Sequence, residues 1–286
     1  MMRNFFLSLF LLASLSAFSQ KNIDIDFLTA DQCVDKYNVP KVYMLADEVN
    51  VRACPGTDCR VVGQMRIGQA MKPLARSTKI DTIRGVKSYW FKIQAGEIEG
   101  WIFGAFIAKA AFGSQTDPSV KFVFGIEKIE KKDRRPVTTY QLRAFRGQTQ
   151  LDKISLNSFS WGFGGVRNLG SKGLALDDII ALDVPCVGGC GCTTGEVLVF
   201  WNGRTFSDIQ RLVGIADAWA SESSEFVYPS DMEGEPDVII REDWLFLEET
   251  NGGYKRQIVR VFFKWNGHKL VKDSSRPKQV KTYVTD

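Results

Sequence analysis

The 286-residue chain predicts an all-β fold in two modules, and three features carry that expectation. Hydrophobic residues make up 44% of it and aromatics 12%, mostly as runs of Val, Ile, Phe and Trp separated by Gly, Asn and Asp, the composition of strands joined by turns. Helical periodicity is scarce. Asn-Gly lies between apolar runs at Asn202-Gly203 and Asn266-Gly267, a strong signal for type I′ hairpins. The length suits two domains, each able to bury a core.

The N-terminus reads MMRNFFLSLFLLASLSAFSQ, with one cation at Arg3, an apolar run from Phe5 to about Leu15, and small residues after it. This is the form of a secretory signal peptide over residues 1–19, cut after Ser19 or alternatively after Gln20. The run is shorter than the ~20 residues that span a bilayer, so removal is expected, leaving a periplasmic or secreted chain with no membrane span. An N-terminal segment over residues 20–39 follows.

Residues 40–109 form the first expected module. Its 11 Lys and Arg against 6 Asp and Glu make it basic, whereas the rest of the chain carries 26 against 27. An exported basic module favours anionic wall or envelope polymers over nucleic acid. Alternation predicts a strand around Val49 to Ala53, a turn at Pro55-Gly56-Thr57-Asp58 and a return strand from Arg60 to Gln64. "RIGQAMKPLA" supplies the next strand, and "WFKIQAGEIEGWIF" a hairpin turning near Gly96. The ordered set Asn50-Val51-Arg52, Pro55-Gly56-Thr57, Val62-Gly63, Gly68, Trp90-Phe91-Lys92-Ile93 and Gly100-Trp101-Ile102-x-Gly104-x-Phe106-Ile107 resembles the bacterial SH3 (SH3b) domain. The resemblance implies a small SH3-like barrel that binds cell-wall peptide or peptidoglycan and performs no catalysis. Tyr43, Arg52 and Tyr89 are the expected ligand contacts, since aromatic faces stack on sugars or side chains and Arg reaches carboxylates. Trp90 and Phe106 are expected in the barrel core.

Cys54 and Cys59 flank the Pro-Gly turn. If the two strands leave it antiparallel, the pair comes within disulfide reach and fixes the shape of the loop. Of the other cysteines, Cys186, Cys190 and Cys192 share the loop "PCVGGCGCTTGE", and Cys33 lies in the N-terminal segment. Disulfides are expected among these four, Cys33 closing on one of the three and Cys186 favoured in the local bridge. A zinc site would need a fourth ligand and the paired Cys-x-x-Cys pattern.

Residues 110–120, "AFGSQTDPSVK" and its neighbours, read as a linker to a β-rich domain over residues 121–286. Three hairpin-like pieces recur there: "TYQLRAFRGQTQL", "EVLVFWNGRTF" and "VRVFFKWNGHKLV". Between them "NLGSKGLALDDIIAL" and "SDMEGEPDVIIRE" each pass from a Gly-bearing loop through Asp into Ile-Ile. These alternations resemble FG-GAP or propeller-type repeats, although three units are too few for an ordinary closed propeller. The resemblance makes Asp231, Glu233 and Asp237 a possible Ca²⁺ set, short of the six to eight oxygens that ion takes. No other cofactor is expected.

Catalytic signals are thin. One histidine, His268, cannot build a multi-His zinc site, and Glu222, Glu225 and Asp237 offer carboxylates without a constellation. The expected function is therefore an exported, non-enzymatic binding protein for a cell-wall or envelope polymer or peptide. The alternatives are calcium-assisted adhesion or an architectural envelope role through the C-terminal repeats, and behind these a cell-wall hydrolase.

Overall fold

The computed structural model describes residues 41–133, 135–158, 162–186, 191–217, 220–248 and 254–285. The signal-peptide and 20–39 expectations, Cys33 and Cys190 lie outside them. The described chain is all-β, as composition predicts, with one short 3-10 turn at Gly104–Phe106.

The first six strands are β1 (Val42–Tyr43), β2 (Val49–Arg52), β3 (Val61–Met65), β4 (Ala70–Ile83), β5 (Val86–Ala95) and β6 (Ile98–Phe103). They form one curled antiparallel sheet in the order β1-β4-β5-β6-β2-β3. The period of two decides which side chains enter it: Val49 and Val51 point into a core of Met44, Met65, Met71, Phe91, Ile93 and Ile102, while Asn50 and Arg52 face outward. Trp90 is 2% exposed and donates from Nε1 to Asp81 Oδ2 at 2.6 Å, and Phe106 packs partly buried against the barrel core.

A four-stranded sheet follows, ordered β10-β9-β8-β7, from β7 (Ala110–Gly113), β8 (Val120–Lys132), β9 (Arg135–Arg146) and β10 (Thr149–Asn157). The segment expected as a linker thus carries a paired strand, because Ala110 and Phe112 have an apolar face to fill, Ala110 being buried and Phe112 packed against the same core. Its continuation is pinned by a carboxylate. Asp178 is 0% exposed and accepts hydrogen bonds from Ser114 Oγ at 2.5 Å, Gln115 N at 2.8 Å and Asn168 Nδ2 at 2.9 Å.

The third sheet is a meander of β11 (Val166–Asn168), β12 (Asp178–Val184), β13 (Cys192–Trp201), β14 (Phe206–Ala216), β15 (Ala220–Val227), β16 (Ile239–Glu248), β17 (Tyr254–Trp265) and β18 (Leu270–Lys272), with β19 (Gln279–Thr285) returning beside β17. Strands β12 and β13 are covered on both faces. Phe122, Phe124 and Leu142 of the four-stranded sheet pack on Ile180, Leu182, Val197, Val199 and Trp201. Ile179, Ala181, Leu198 and Phe200 meet Phe226, Ile239 and Leu270, brought back by the curl of the meander. That double burial explains the unbroken apolar runs Ile179–Leu182 and Val197–Trp201, which depart from alternation.

Two expectations about this region need correction. The recurring hairpins do not form separate blades: the one turning at Gly147 joins β9 to β10 in the four-stranded sheet, and those at Gly203 and Gly267 join consecutive strands of the meander. Nor are the Asn-Gly turns type I′, which requires positive φ at both central residues. Gly203 and Gly267 have φ of 86° and 91°, but neither Asn202 nor Asn266 is left-handed. Each Asn instead turns its side chain onto the loop, Asn202 Oδ1 accepting from Arg204 N and Thr205 N at 3.1 and 2.9 Å, and Asn266 Oδ1 from His268 N and Lys269 N at 3.0 and 2.9 Å. The two Trp-Asn-Gly tripeptides therefore build the same four-residue loop, held by an Asn side chain.

Candidate functional site

The barrel meets the four-stranded sheet across Leu45, Ile67 and Ala108 on one side and Val123 and Phe145 on the other. Two glycines permit the approach. At Gly68 (φ 69°) a Cβ would overlap the Phe145 ring, and at Gly85 (φ 74°) it would overlap the Ile129 carbonyl oxygen. Arg84, itself left-handed at φ 52°, accepts a hydrogen bond at its carbonyl from Ile129 N at 3.1 Å.

Beside this junction a groove of about 390 Å³ opens on the barrel. Its floor holds Trp90, Phe103 and Phe106, stacked edge to face with successive centroid distances of 5.8 Å. Arg52 from β2, Arg84 from the β4–β5 turn and Arg143 from β9 line it, together with Asp47, Glu48 and Thr57. Asp47 and Glu48 lie 3.3 and 3.9 Å from Arg66, which is not itself a lining residue. Arg52 Nη1 donates to the Cys59 carbonyl at 2.7 Å, and Arg143 donates to Gln141 Oε1 and Gln150 Oε1, both at 2.8 Å. Among the described residues none of the three guanidiniums has a carboxylate at ion-pair distance, so the groove carries three unpaired guanidiniums, with Asp47 and Glu48 on the same lining, over a floor of aromatic rings. Burial pulls the Arg143 pKa below its ordinary value, with Glu127 opposing and Arg84 reinforcing that shift. An anion would relieve this desolvated cation.

The loop between β2 and β3 forms one wall. Cys54 and Cys59 are bridged, with Cα atoms 5.6 Å apart. Cys59 N donates to the Gly56 carbonyl at 3.3 Å, and Arg52 closes the loop from the strand below. Thr57 at its tip reaches the groove, so the bridge fixes a lining residue. The second bridge joins Cys186 to Cys192, Cα atoms 5.4 Å apart, across the loop entering β13.

Residues 47–108 match the bacterial SH3 domain. The groove is built on this SH3 domain, and Arg143 enters it from outside the matched residues. The bacterial SH3 domain is a binding module and carries no catalytic machinery of its own. No curated protein and no solved structure matches the chain. No helix among the described residues is long and apolar enough to cross a membrane.

Of the residues expected from sequence to touch ligand, Arg52 lies in the groove of the SH3 domain. Tyr43 packs half-buried against the junction cluster, and Tyr89 packs against the barrel core with Arg76 stacked 4.8 Å from its ring centroid. Neither lines the groove. Arg84, Arg143 and Phe103 escaped the sequence reading; the Arg84-Gly85 turn after a long strand was the available signal for the first, while Arg143 looks like any outward residue of an alternating strand. The three acids of the calcium expectation are dispersed in their bonding. Asp231 accepts from Lys172 Nζ at 3.0 Å and from Tyr228 N at 2.9 Å, Glu233 pairs with Arg260 at 2.9 Å, and Asp237 is a left-handed turn residue at φ 60°. No group of three metal-ligating side chains converges among the described residues.

Proposed function

We propose that the chain is an exported, non-catalytic binding protein whose SH3 domain holds an anionic cell-wall or envelope component in the groove between Arg52, Arg84 and Arg143. The match over residues 47–108 supports a binding module of the kind that recognises wall components. The observation that carries the reading is the trio of guanidiniums without carboxylate partners above an aromatic floor. Carboxylates, which Arg binds in bidentate fashion, suit that set, and Phe106, partly exposed above the buried Trp90 and Phe103, offers apolar surface to the rest of the ligand. The signal-like N-terminus and the two bridges support export, since disulfides persist in oxidising compartments.

The test is sedimentation of the full mature chain with purified peptidoglycan, with zymography of the same preparation. Binding is expected to weaken as salt rises through about 0.15 M, where the screening length is about 8 Å. Arg84→Gln and Arg143→Gln should each reduce retention roughly tenfold, the loss expected for one charge-assisted contact. Clearing of the wall substrate would replace the non-catalytic reading with a hydrolase. Release by chelator, with both Arg variants still bound, would move the activity to Asp231, Glu233 and Asp237.

A further inference from the structure

A second cavity, of about 570 Å³, lies outside the SH3 domain, on the face of the sheet formed by β15, β16, β17 and β19 and beneath the loop carrying Asp231 and Glu233. Register fixes what shares this face. One row across the strands reads Glu225, Glu242, Arg260, Gln279, and the next reads Ser223, Trp244, Ile258, Lys281. Two glutamates thus stand directly opposite each other on neighbouring strands, an arrangement that destabilises a sheet unless cations are supplied. Glu242 is 4% exposed and has Arg260 at 2.5 Å, but the same guanidinium also serves Glu233. Asp231 is taken by Lys172. Among the described residues no hydrogen bond or ion pair engages Glu225, exposed at one end of the cavity, or Lys281, exposed at the other.

Between these ends lies an aromatic surface. Trp244 has Arg256 stacked 4.1 Å from its ring centroid, and its buried Nε1 finds no hydrogen-bond acceptor among the described residues. Tyr283 stands half-exposed at the rim on β19. The two unmatched charges are of opposite sign and are separated by three strand spacings, about 14 Å, less the reach of the side chains.

We propose that this cavity binds a short zwitterionic peptide of about three or four residues, its ammonium group on Glu225 and Glu242, its carboxylate on Lys281, and its body across Trp244. An extended chain covers about 3.3 Å per residue, so this length bridges the two charges. A shorter amino acid satisfies one end only. A neutral saccharide uses the aromatic surface but leaves both charges unmatched. This site is independent of the barrel groove and of its ligand.

The experiment follows the Trp244 indole N–H by NMR in the full mature chain, the resonance being assigned with Trp244→Phe. The probes are tetra-alanine with free termini, its N-acetylated form and its C-amidated form. Glu225→Gln is expected to weaken the free and amidated forms about tenfold and to leave the acetylated form unchanged. Lys281→Met is expected to weaken the free and acetylated forms by a similar factor and to leave the amidated form unchanged. Arg84→Gln in the barrel groove should alter none of these affinities, which separates failure here from failure of the groove. The proposal is overturned by the absence of a saturable shift with free tetra-alanine, by variants that weaken all three probes alike, or by tri-N-acetylglucosamine shifting the same resonance in every variant. An Arg84→Gln effect on the peptide would equally assign the binding to the barrel.

Discussion

Arg52 was legible in the sequence because strand alternation sends it outward from a strand whose Val49 and Val51 fill the barrel. Tyr43 and Tyr89 have the same outward-looking chemistry, but residue type alone does not reveal a neighbouring sheet or a stacking Arg76. Asp273 illustrates a property set wholly by local partners. Hydrogen bonds from Ser275, and then from Lys264 at 2.9 Å, lower its pKa from the ordinary 3.8 to about 2. A carboxylate depressed in the folded state contributes stability that is complete above its unfolded value and is lost as pH falls through the folded one. The unfolding midpoint in urea should therefore drop more steeply from about pH 4 to pH 2 in the native chain than in Asp273→Asn. Identical slopes for the two proteins would show that this pairing does not act on folding.

Among the elements, the strands were the most legible and the turns the least. Alternation located β2, β3 and the β5–β6 hairpin, whereas the Asn-Gly dipeptides named the right places and the wrong turn, since an Asn side chain competes for backbone donors with a left-handed backbone at the same residue. Residues 110–120 misled for a similar reason. Their Gly, Ser and Pro content is that of a linker, but the donors Ser114 Oγ and Gln115 N are claimed by a carboxylate that is distant in sequence. Asp178→Ala strands those donors and Asn168 Nδ2 in a buried site, and should cost about 3 kcal/mol in urea unfolding. A loss below about 1 kcal/mol would mean that water replaces the carboxylate there.

At the scale of the whole molecule, the sequence supplied the class and the first module, and withheld how the modules meet. The contact rests on Leu45, Ile67, Val123 and Phe145, residues that read as interior to their own modules because each strand has two faces and composition does not say which is covered by what. Residues 41–109 expressed alone should accordingly expose Leu45 and Ile67, bind a hydrophobic dye and melt below the full chain, while Ile67→Ser in that fragment should reduce the dye signal. A fragment that melts with the full chain and binds no dye would show that the barrel stands without its neighbour.

The position of Arg143 has a further consequence. Because this side chain comes from the sheet and the other two guanidiniums from the barrel, an occupant that engages Arg143 together with Arg52 or Arg84 holds both bodies at once. Linkage then runs in both directions: an occupant that favours the docked arrangement tightens docking by the same factor by which docking tightens the occupant. The amide hydrogen of Ile129, which donates across the junction to the Arg84 carbonyl, should then report occupancy at a distance, exchanging more slowly when the groove is filled. The wall that a ligand touches is then also the clasp between two parts of one chain.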